Sequence, residues 1–264
     1  MNMINKRLLK SPPYIFAYLL SFYTLATLIL NFSINNLVFL LTVLVLFVIG
    51  TYAIKKINKR LPYVDSIISG LILFLILDPL TPWFEILIIM ILFVLLKLLR
   101  SKNMPIFNPI VVAIIAYYFL ALLLPWINTP FVSWWGTAYM NWVSIVFLLP
   151  ALLYSLYQFK KYYYFIAIFL SFLIIEALFN GFNEFYLITG TLYFAIGIMF
   201  LEIKTSPTKR NDQIIIGVIA GLVLFIFNQM LIPYPILFTI LSANLIFYLR
   251  KKYLTKLVTN KKTK

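Results

Sequence analysis

Apolar runs separated by short breaks holding Lys, Asn, Pro or Gly repeat along the chain. A helix needs about 20 apolar residues to cross a hydrocarbon core of ~30 Å. On that measure the pattern predicts ten spans, near 14–30, 37–54, 66–82, 83–99, 106–124, 143–158, 162–178, 185–202, 213–230 and 234–249. The first follows Lys6, Arg7 and Lys10, as the core of a signal peptide would. Its apolar stretch is long and no small-x-small cleavage site follows, so it reads as an uncleaved anchor.

Charge placement tests this count. Short loops on the cytoplasmic side keep Lys and Arg, and exported loops lack them. With the N-terminus inside, the inner segments contain Lys6, Arg7, Lys10, Lys55, Lys56, Lys59, Arg60, Lys97, Arg100, Lys102, Lys160, Lys161, Lys204, Lys209, Arg210 and the tail from Arg250 to Lys264, which accounts for all 22 basic residues. The outer segments, around 31–36, 125–142, 179–184 and 231–233, hold none. A wrong count would scatter the charge over both sides, so the expectation is ten spans with both termini cytoplasmic. The net charge of +15 then follows from topology. A nucleic-acid partner would need the basic residues on one water-exposed face, and their distribution excludes it.

Composition narrows the chemistry. Of 264 residues, 64% are apolar and 11% charged, where soluble domains carry about 25% charged residues. Without cysteine or histidine, disulfides, thiolate clusters, His-ligated haem and zinc, and histidine proton relays all fall away. Redox chemistry would need an organic cofactor. No P-loop, GxSxG element or metal-ligand spacing is present, and a self-contained hydrolase or transferase is not expected.

Ten spans divide into two sets of five, 14–124 and 143–249, followed by a basic tail, 250–264. Because five is odd, the second set starts from the opposite side and the halves form an inverted repeat. The third member of each half stands out. Span three is interrupted at Asp78-Pro79-Leu80-Thr81-Pro82, and its continuous part, 66–77, covers only about 18 Å at 1.5 Å per residue. Span eight is short, contains Gly190 and Gly197, and runs into Lys204-Thr205-Ser206-Pro207-Thr208. Paired broken helices mark a site at the repeat interface, because a break frees backbone groups that a ligand, water or protein must satisfy. The expectation is that the two breaks meet in one polar pocket. The alternative is that each proline only starts a helix.

Asp78, past the midplane when counted from Ser66, is the candidate ion-pathway residue, attracting Na⁺ or H⁺ between the repeats. It could equally cap a helix starting at Pro79. Glu85, Glu176 and Glu184 fall near the outer ends of spans and read as interfacial, as do Trp126, Trp134, Trp135 and Trp142. The sharper alternative for the tryptophans is a stacking surface for a flavin or quinone ring. Asn108-Pro109 reads as a helix cap that directs free N–H groups toward a ligand.

At these residues the chain resembles a known family, RnfD/NqrB, the flavin-carrying membrane proteins of Rnf electron-transport complexes and of the sodium-pumping NADH:quinone reductase. Ser69-Gly70-Leu71-Ile72-Leu73 with Ile106-Phe107-Asn108-Pro109 is similar to the family's SGLxL and IFNPA segments. Thr189-Gly190-Thr191-Leu192, Ile203-Lys204-Thr205-Ser206-Pro207-Thr208, and Gln213 through Gly217 to Gly221 resemble its SGGLL…TSP…GQxIxG…G stretch. Tyr234-Pro235 through Asn244 resembles its terminal YPE…FAILLxN. The likeness runs from about 66 to 249.

The resemblance implies an all-α membrane protein with a urea-transporter-like fold of two inverted five-helix repeats. It also implies electron transfer through FMN or riboflavin coupled to Na⁺ or H⁺ movement, with other redox subunits or an FMN-binding protein as partners. The cofactor-binding residues it implies are Ser69, Gly70, Asn108, Pro109, Thr137, Thr205, Ser206, Pro207 and Thr208, with hydroxyls and the cations Lys204, Lys209 and Arg210 facing a phosphate or ring carbonyl. The family carries FMN covalently on the threonine of an SGAT motif. Here the corresponding loop has Gly136-Thr137 without the full motif, which speaks for non-covalent flavin. The family's TDP and terminal PLID are absent as well, as in a divergent, shortened member.

The alternative function is a channel or transporter for a small polar solute, using the repeat interface as a pore. A third reading is a structural subunit whose breaks are packing features.

Overall fold

The computed structural model describes residues 11–57, 64–98, 107–124, 129, 132–134, 137, 141–181, 190–200 and 205–262. Among them the chain is all-helical, apart from one isolated bridge between Leu77 and Val132. Ten helical segments follow one another: α1 (Pro12–Leu30), α2 (Ile34–Ile57), α3 (Val64–Ile76), α4 (Trp83–Leu98), α5 (Pro109–Leu123), α6 (Asn141–Phe159), α7 (Tyr162–Asn180), α8 (Gly190–Phe194, continued as a π-turn over Ala195–Met199), α9 (Arg210–Gln229) and α10 (Pro235–Lys262). Each coincides with an expected span. The clearest shift is α10, which continues as helix to Lys262 where a basic tail was expected from 250.

Prolines set several starts. Pro12, Pro109 and Pro235 each occupy a first helical turn, where the missing N–H has no partner to lose. Two ends are closed by left-handed residues. After α6, Lys160 at φ 52° lets the Lys161 N–H reach the Leu156 carbonyl and its own N–H reach Tyr157. After α9, Leu231 at φ 53° does the same with Phe227 and Asn228. Both are Schellman closures.

Four segments, Pro12–Leu30, Ile34–Ala53, Tyr162–Asn180 and Arg210–Gln229, are long and apolar enough to cross a membrane. Between their ends, long apolar side chains face outward: Tyr18, Phe22, Leu25 and Ile29 on α1, and Ile166, Leu170, Ile174 and Leu178 on α7, are exposed. Such a surface suits lipid and not water.

In the first five helices, α2 packs on α3 and α4, α4 on α5, and α1 on α3. In the second five, α7 packs on α9 and on the π-turn of α8, α9 on α10, and α6 on α8. The sets meet where α1 lies on α6 and α5 on α10. Lipid tails are as apolar as leucine, so close approach and hydrogen bonds, not burial alone, hold such helices together. At the α7–α9 contact Gly217 and Gly221 lie against Tyr164, Ala167, Ile168 and Ser171. Within the π-turn of α8 the Gly197 carbonyl accepts from Ser155 Oγ of α6 at 2.8 Å.

Candidate functional site

Two polar clusters occupy opposite ends of the bundle. The first lies where α5 and α9 begin. Asn108 caps α5 with its side chain, accepting from the N–H groups of Ile110 at 3.1 Å and Val111 at 3.4 Å. Its own N–H donates at 3.1 Å to the amide oxygen of Asn244, inside α10, while the Asn244 amide nitrogen donates at 3.1 Å to the Thr205 carbonyl. Only this orientation of the amide satisfies both neighbours. Three segments far apart in sequence thus meet at one asparagine.

The same segment is held from its other side by Lys161. Its Nζ donates to the Ser206 carbonyl at 3.0 Å and to the Pro207 carbonyl, and the side chain is 1% exposed. The Schellman reversal at Lys160 is what turns Lys161 inward. Burial pulls the ammonium's pKa down from its usual value to about 8. Gln213 completes the cluster: its amide nitrogen donates to the Lys160 and Thr208 carbonyls, each at 3.0 Å, and its oxygen accepts from the Tyr164 N–H at 3.3 Å. Asn108, Thr205, Ser206, Gln213 and Asn244 are all buried.

The second cluster joins the ends of α3 and α8. The Trp134 N–H donates to the Ile76 carbonyl at 2.9 Å, next to the Leu77–Val132 bridge, so residues 132–134 take up backbone groups left free where α3 stops. Thr137 Oγ1 lies 3.1 Å from Thr191 Oγ1 at the start of α8 and also reaches the Trp134 carbonyl. The helix ends are therefore linked through a strap of chain. No common polar pocket of the expected kind is seen among the described residues. What lines the two helices is apolar: Leu71 to Leu77, and Leu192 with Phe194 to Met199, are buried.

Of the residues marked in the sequence, Asn108, Pro109, Thr205, Ser206 and Pro207 come together in the first cluster. Thr208 adjoins it through its carbonyl but is itself exposed, as are Lys209 and Arg210; the Arg210 guanidinium lies over the Tyr163 ring at 4.5 Å. Thr137 belongs to the other end. Ser69 and Gly70 join neither: Ser69 Oγ donates to the Asp65 carbonyl of its own helix at 2.8 Å, and Gly70 packs on Phe47 of α2. Asp78 is partly exposed in the turn before α4, its Oδ1 accepting from the Leu80 N–H at 2.8 Å in an Asx turn; no helix starts at Pro79, and α4 begins only at Trp83, so Asp78 does not cap it. Lys204, Trp126 and Trp135, Gly136, Thr189 and Glu184 lie outside the described residues.

Glu85 and Glu176, read as interfacial, are 2% and 5% exposed. Both have partners within the protein: Asn180 donates to Glu176 at 2.8 Å, and Glu85 meets Tyr117 of α5. Trp134, expected in an interfacial belt, packs against the core edge-on to Phe194, at 6.5 Å between ring centres. Sequence reasoning assigned Lys161 to orientation alone, and nothing in its surroundings distinguishes it from Lys160. Asn244 carried a usable signal, a lone amide within an apolar run.

A flavin needs donors that are open to it. The hydroxyl-bearing residues Thr137, Thr205 and Ser206 are at most 3% exposed and already held by protein, and do not fit. Thr208, Lys209 and Arg210, exposed at the first turn of α9, fit an anionic phosphate. No protein-family model matches the chain, and no curated protein matches it.

Proposed function

We propose that this chain is the membrane component of a flavin-dependent electron-transport system of the RnfD/NqrB kind, working with Na⁺ or H⁺ movement. The observation that carries the reading is the convergence of Asn108, Thr205 and Asn244. They come from three separate segments, each of which resembles that family independently, and a chance likeness gives no reason for them to share hydrogen bonds.

The packing supports an inverted repeat. The contacts of the second with the third and fourth helices, of the fourth with the fifth, and of the first with the third recur in both sets of five, and the sets touch first helix to first helix and fifth to fifth. That is the arrangement a two-fold axis in the membrane plane produces. With ten spans, both termini and the first polar cluster would lie on the cytoplasmic side of the cell membrane, a reading that the gathering of the basic residues in alternate loops supports. Thr208, Lys209 and Arg210 would hold the phosphate of a non-covalent FMN, whose isoalloxazine ring supplies one-electron chemistry when bound. Riboflavin, lacking the phosphate, would rely on ring contacts. Other redox subunits or an FMN-binding protein would dock at that face. The apolar lining of α3 and α8 speaks against a standing pore for polar solutes.

Purification from membranes tests the reading: flavin absorbance near one per chain is expected. A colourless preparation that also ignores added FMN overturns it.

A further inference from the structure

Arg250 Nε donates to Asp212 Oδ1 at 2.8 Å, an ion pair that ties the point where α10 turns basic to the first turn of α9. Both helices change character at this level. α9 is apolar from Ile214 onward, after Arg210, Asn211, Asp212 and Gln213, and α10 is largely apolar from Pro235 to Leu249, just before Arg250. The pair therefore marks an edge of the hydrocarbon, and Tyr248 and Tyr253, both exposed, flank it as interfacial aromatics do. Past that edge α10 does not end. The helix continues to Lys262, about twelve residues or ~18 Å beyond Arg250. This stretch holds Lys251, Lys252, Lys256, Lys261 and Lys262 and no carboxylate, and Lys251 and Lys252 are exposed.

A lysine attracts the phosphates of an anionic leaflet only while it stands within a Debye length of them, about 8 Å at physiological ionic strength. The headgroup layer itself is ~6 Å deep. Counted along the helix from Arg250, Lys251 and Lys252 rise about 1.5–3 Å and Lys256 about 9 Å, whereas Lys261 and Lys262 rise about 17 Å. We propose that the exit of α10, Lys251 and Lys252 with Lys256 above them, is a binding surface for the headgroups of anionic phospholipid. The partner is the bilayer and not an acidic protein, because the cations next to Arg250 stand within the headgroup layer, where a protein face would first have to displace lipid. Lys209 and Arg210, in the first turn of α9 with Asp212, add to the same field, but the surface does not depend on them. It rests on α9, long and apolar enough to cross a membrane, with α10 packed along it. The redox reading does not enter.

The chain has no cysteine, so Tyr253→Cys gives the full-length protein a single site for a fluorophore beside the proposed surface. The labelled protein, in phosphatidylcholine vesicles, is titrated with phosphatidylglycerol carrying a nitroxide near the top of its acyl chain, and in parallel with phosphatidylcholine carrying the same nitroxide. Each lysine near the surface contributes about a factor of five. Phosphatidylglycerol should therefore reach half-quenching at a mole fraction roughly tenfold or more below that of phosphatidylcholine, a preference that shrinks as NaCl is raised. Lys251→Gln with Lys252→Gln should remove most of that preference, while Lys261→Gln with Lys262→Gln should leave it within about twofold. Equal quenching by the two lipids overturns the proposal and assigns the helix to an acidic protein instead. Displacement by inorganic phosphate beyond what chloride of equal ionic strength produces also overturns it, since the surface then takes a free anion. An equal loss from the distal pair does the same, because distance from the membrane would then decide nothing. Flavin takes no part in the measurement, so a colourless preparation leaves the surface standing, and failure here leaves the redox reading standing.

Discussion

Asn244, in the middle of α10, accepts a hydrogen bond from the backbone N–H of Asn108, the residue that caps α5, at 3.1 Å. The bond fixes the two fifth-position helices of the halves against each other, and the same amide fixes the Thr205 carbonyl. Replacing Asn244 by Leu strands an N–H and a C=O away from water, each at a cost of about 1–3 kcal/mol. The Asn244→Leu protein should therefore unfold several degrees lower in a detergent melt. Asn244→Asp keeps the acceptor for Asn108 but turns a buried carboxylate oxygen toward the Thr205 carbonyl, so it should destabilise at least as much as leucine. Unchanged melting of Asn244→Leu would show that the amide holds nothing.

Lys161 makes stability depend on pH in a definite direction. Its folded pKa, about 8, lies below the ordinary 10.5. Below about pH 8 both states are protonated and the folded state bears the cost of a buried charge. Between about 8 and 10.5 the unfolded chain binds more protons, so stability rises with pH through that window and is flat above it. The ceiling is on the order of 3 kcal/mol. Melting followed from pH 7.5 to pH 9.5 should climb, and Lys161→Met, which cannot titrate, should lose this climb. Equal slopes for the two proteins would exclude Lys161 as their source.

Lys160 and Leu231 hold left-handed φ angles, a conformation that carries a steric cost for any residue with a Cβ. Both side chains are exposed, Leu231 at 88%. Glycine adopts this geometry without strain and keeps the backbone bonds that close α6 and α9. Lys160→Gly and Leu231→Gly should each be neutral or raise stability by up to about 1 kcal/mol, because relief of strain works against the extra entropy of the unfolded chain. A loss of 2 kcal/mol or more at Lys160 would mean that its side chain has work beyond the turn.

The helices were legible because their lengths are set by apolar runs and their starts by proline: Pro109 after Asn108, and Pro235 after Tyr234, each mark the observed first turn. The end of α3 was legible for the same reason, through Asp78-Pro79. Which residues meet was not. Residues 132–134 carry no pattern that announces pairing with Ile76 and Leu77, since an isolated bridge needs only two backbone groups in register. The burial of Glu85 depends on Tyr117 arriving from another helix, and Lys161 turns inward only because its neighbour takes a left-handed angle. The Asn108, Thr205 and Asn244 segments were marked individually through resemblance, and periodicity could not place them together.

Gly70 and Gly221 were both singled out in the sequence, and the structure separates them. A Cβ built on Gly70 meets nothing closer than 3.6 Å, so alanine fits there, and in a helix it is favoured over glycine by about 1 kcal/mol. At Gly221 the added atom would collide with Ser171 Oγ and come within 2.7 Å of the Ile168 carbonyl and 2.9 Å of the Phe172 N–H, backbone that cannot swing aside. Gly217, four residues earlier, faces the same helix with its Cβ position 2.6 Å from that of Ala167, so the pair is a small-xxx-small contact that lets α9 lie directly on α7. Gly221→Ala should force the helices apart at a cost of about 1–3 kcal/mol or more, and Gly70→Ala should be neutral or stabilising. Detergent melts of the two variants side by side decide it. If Gly70→Ala is instead folded and stable but loses flavin or ion binding, Gly70 belongs to a site, as the resemblance first implied, and not merely to the packing of α3 on α2.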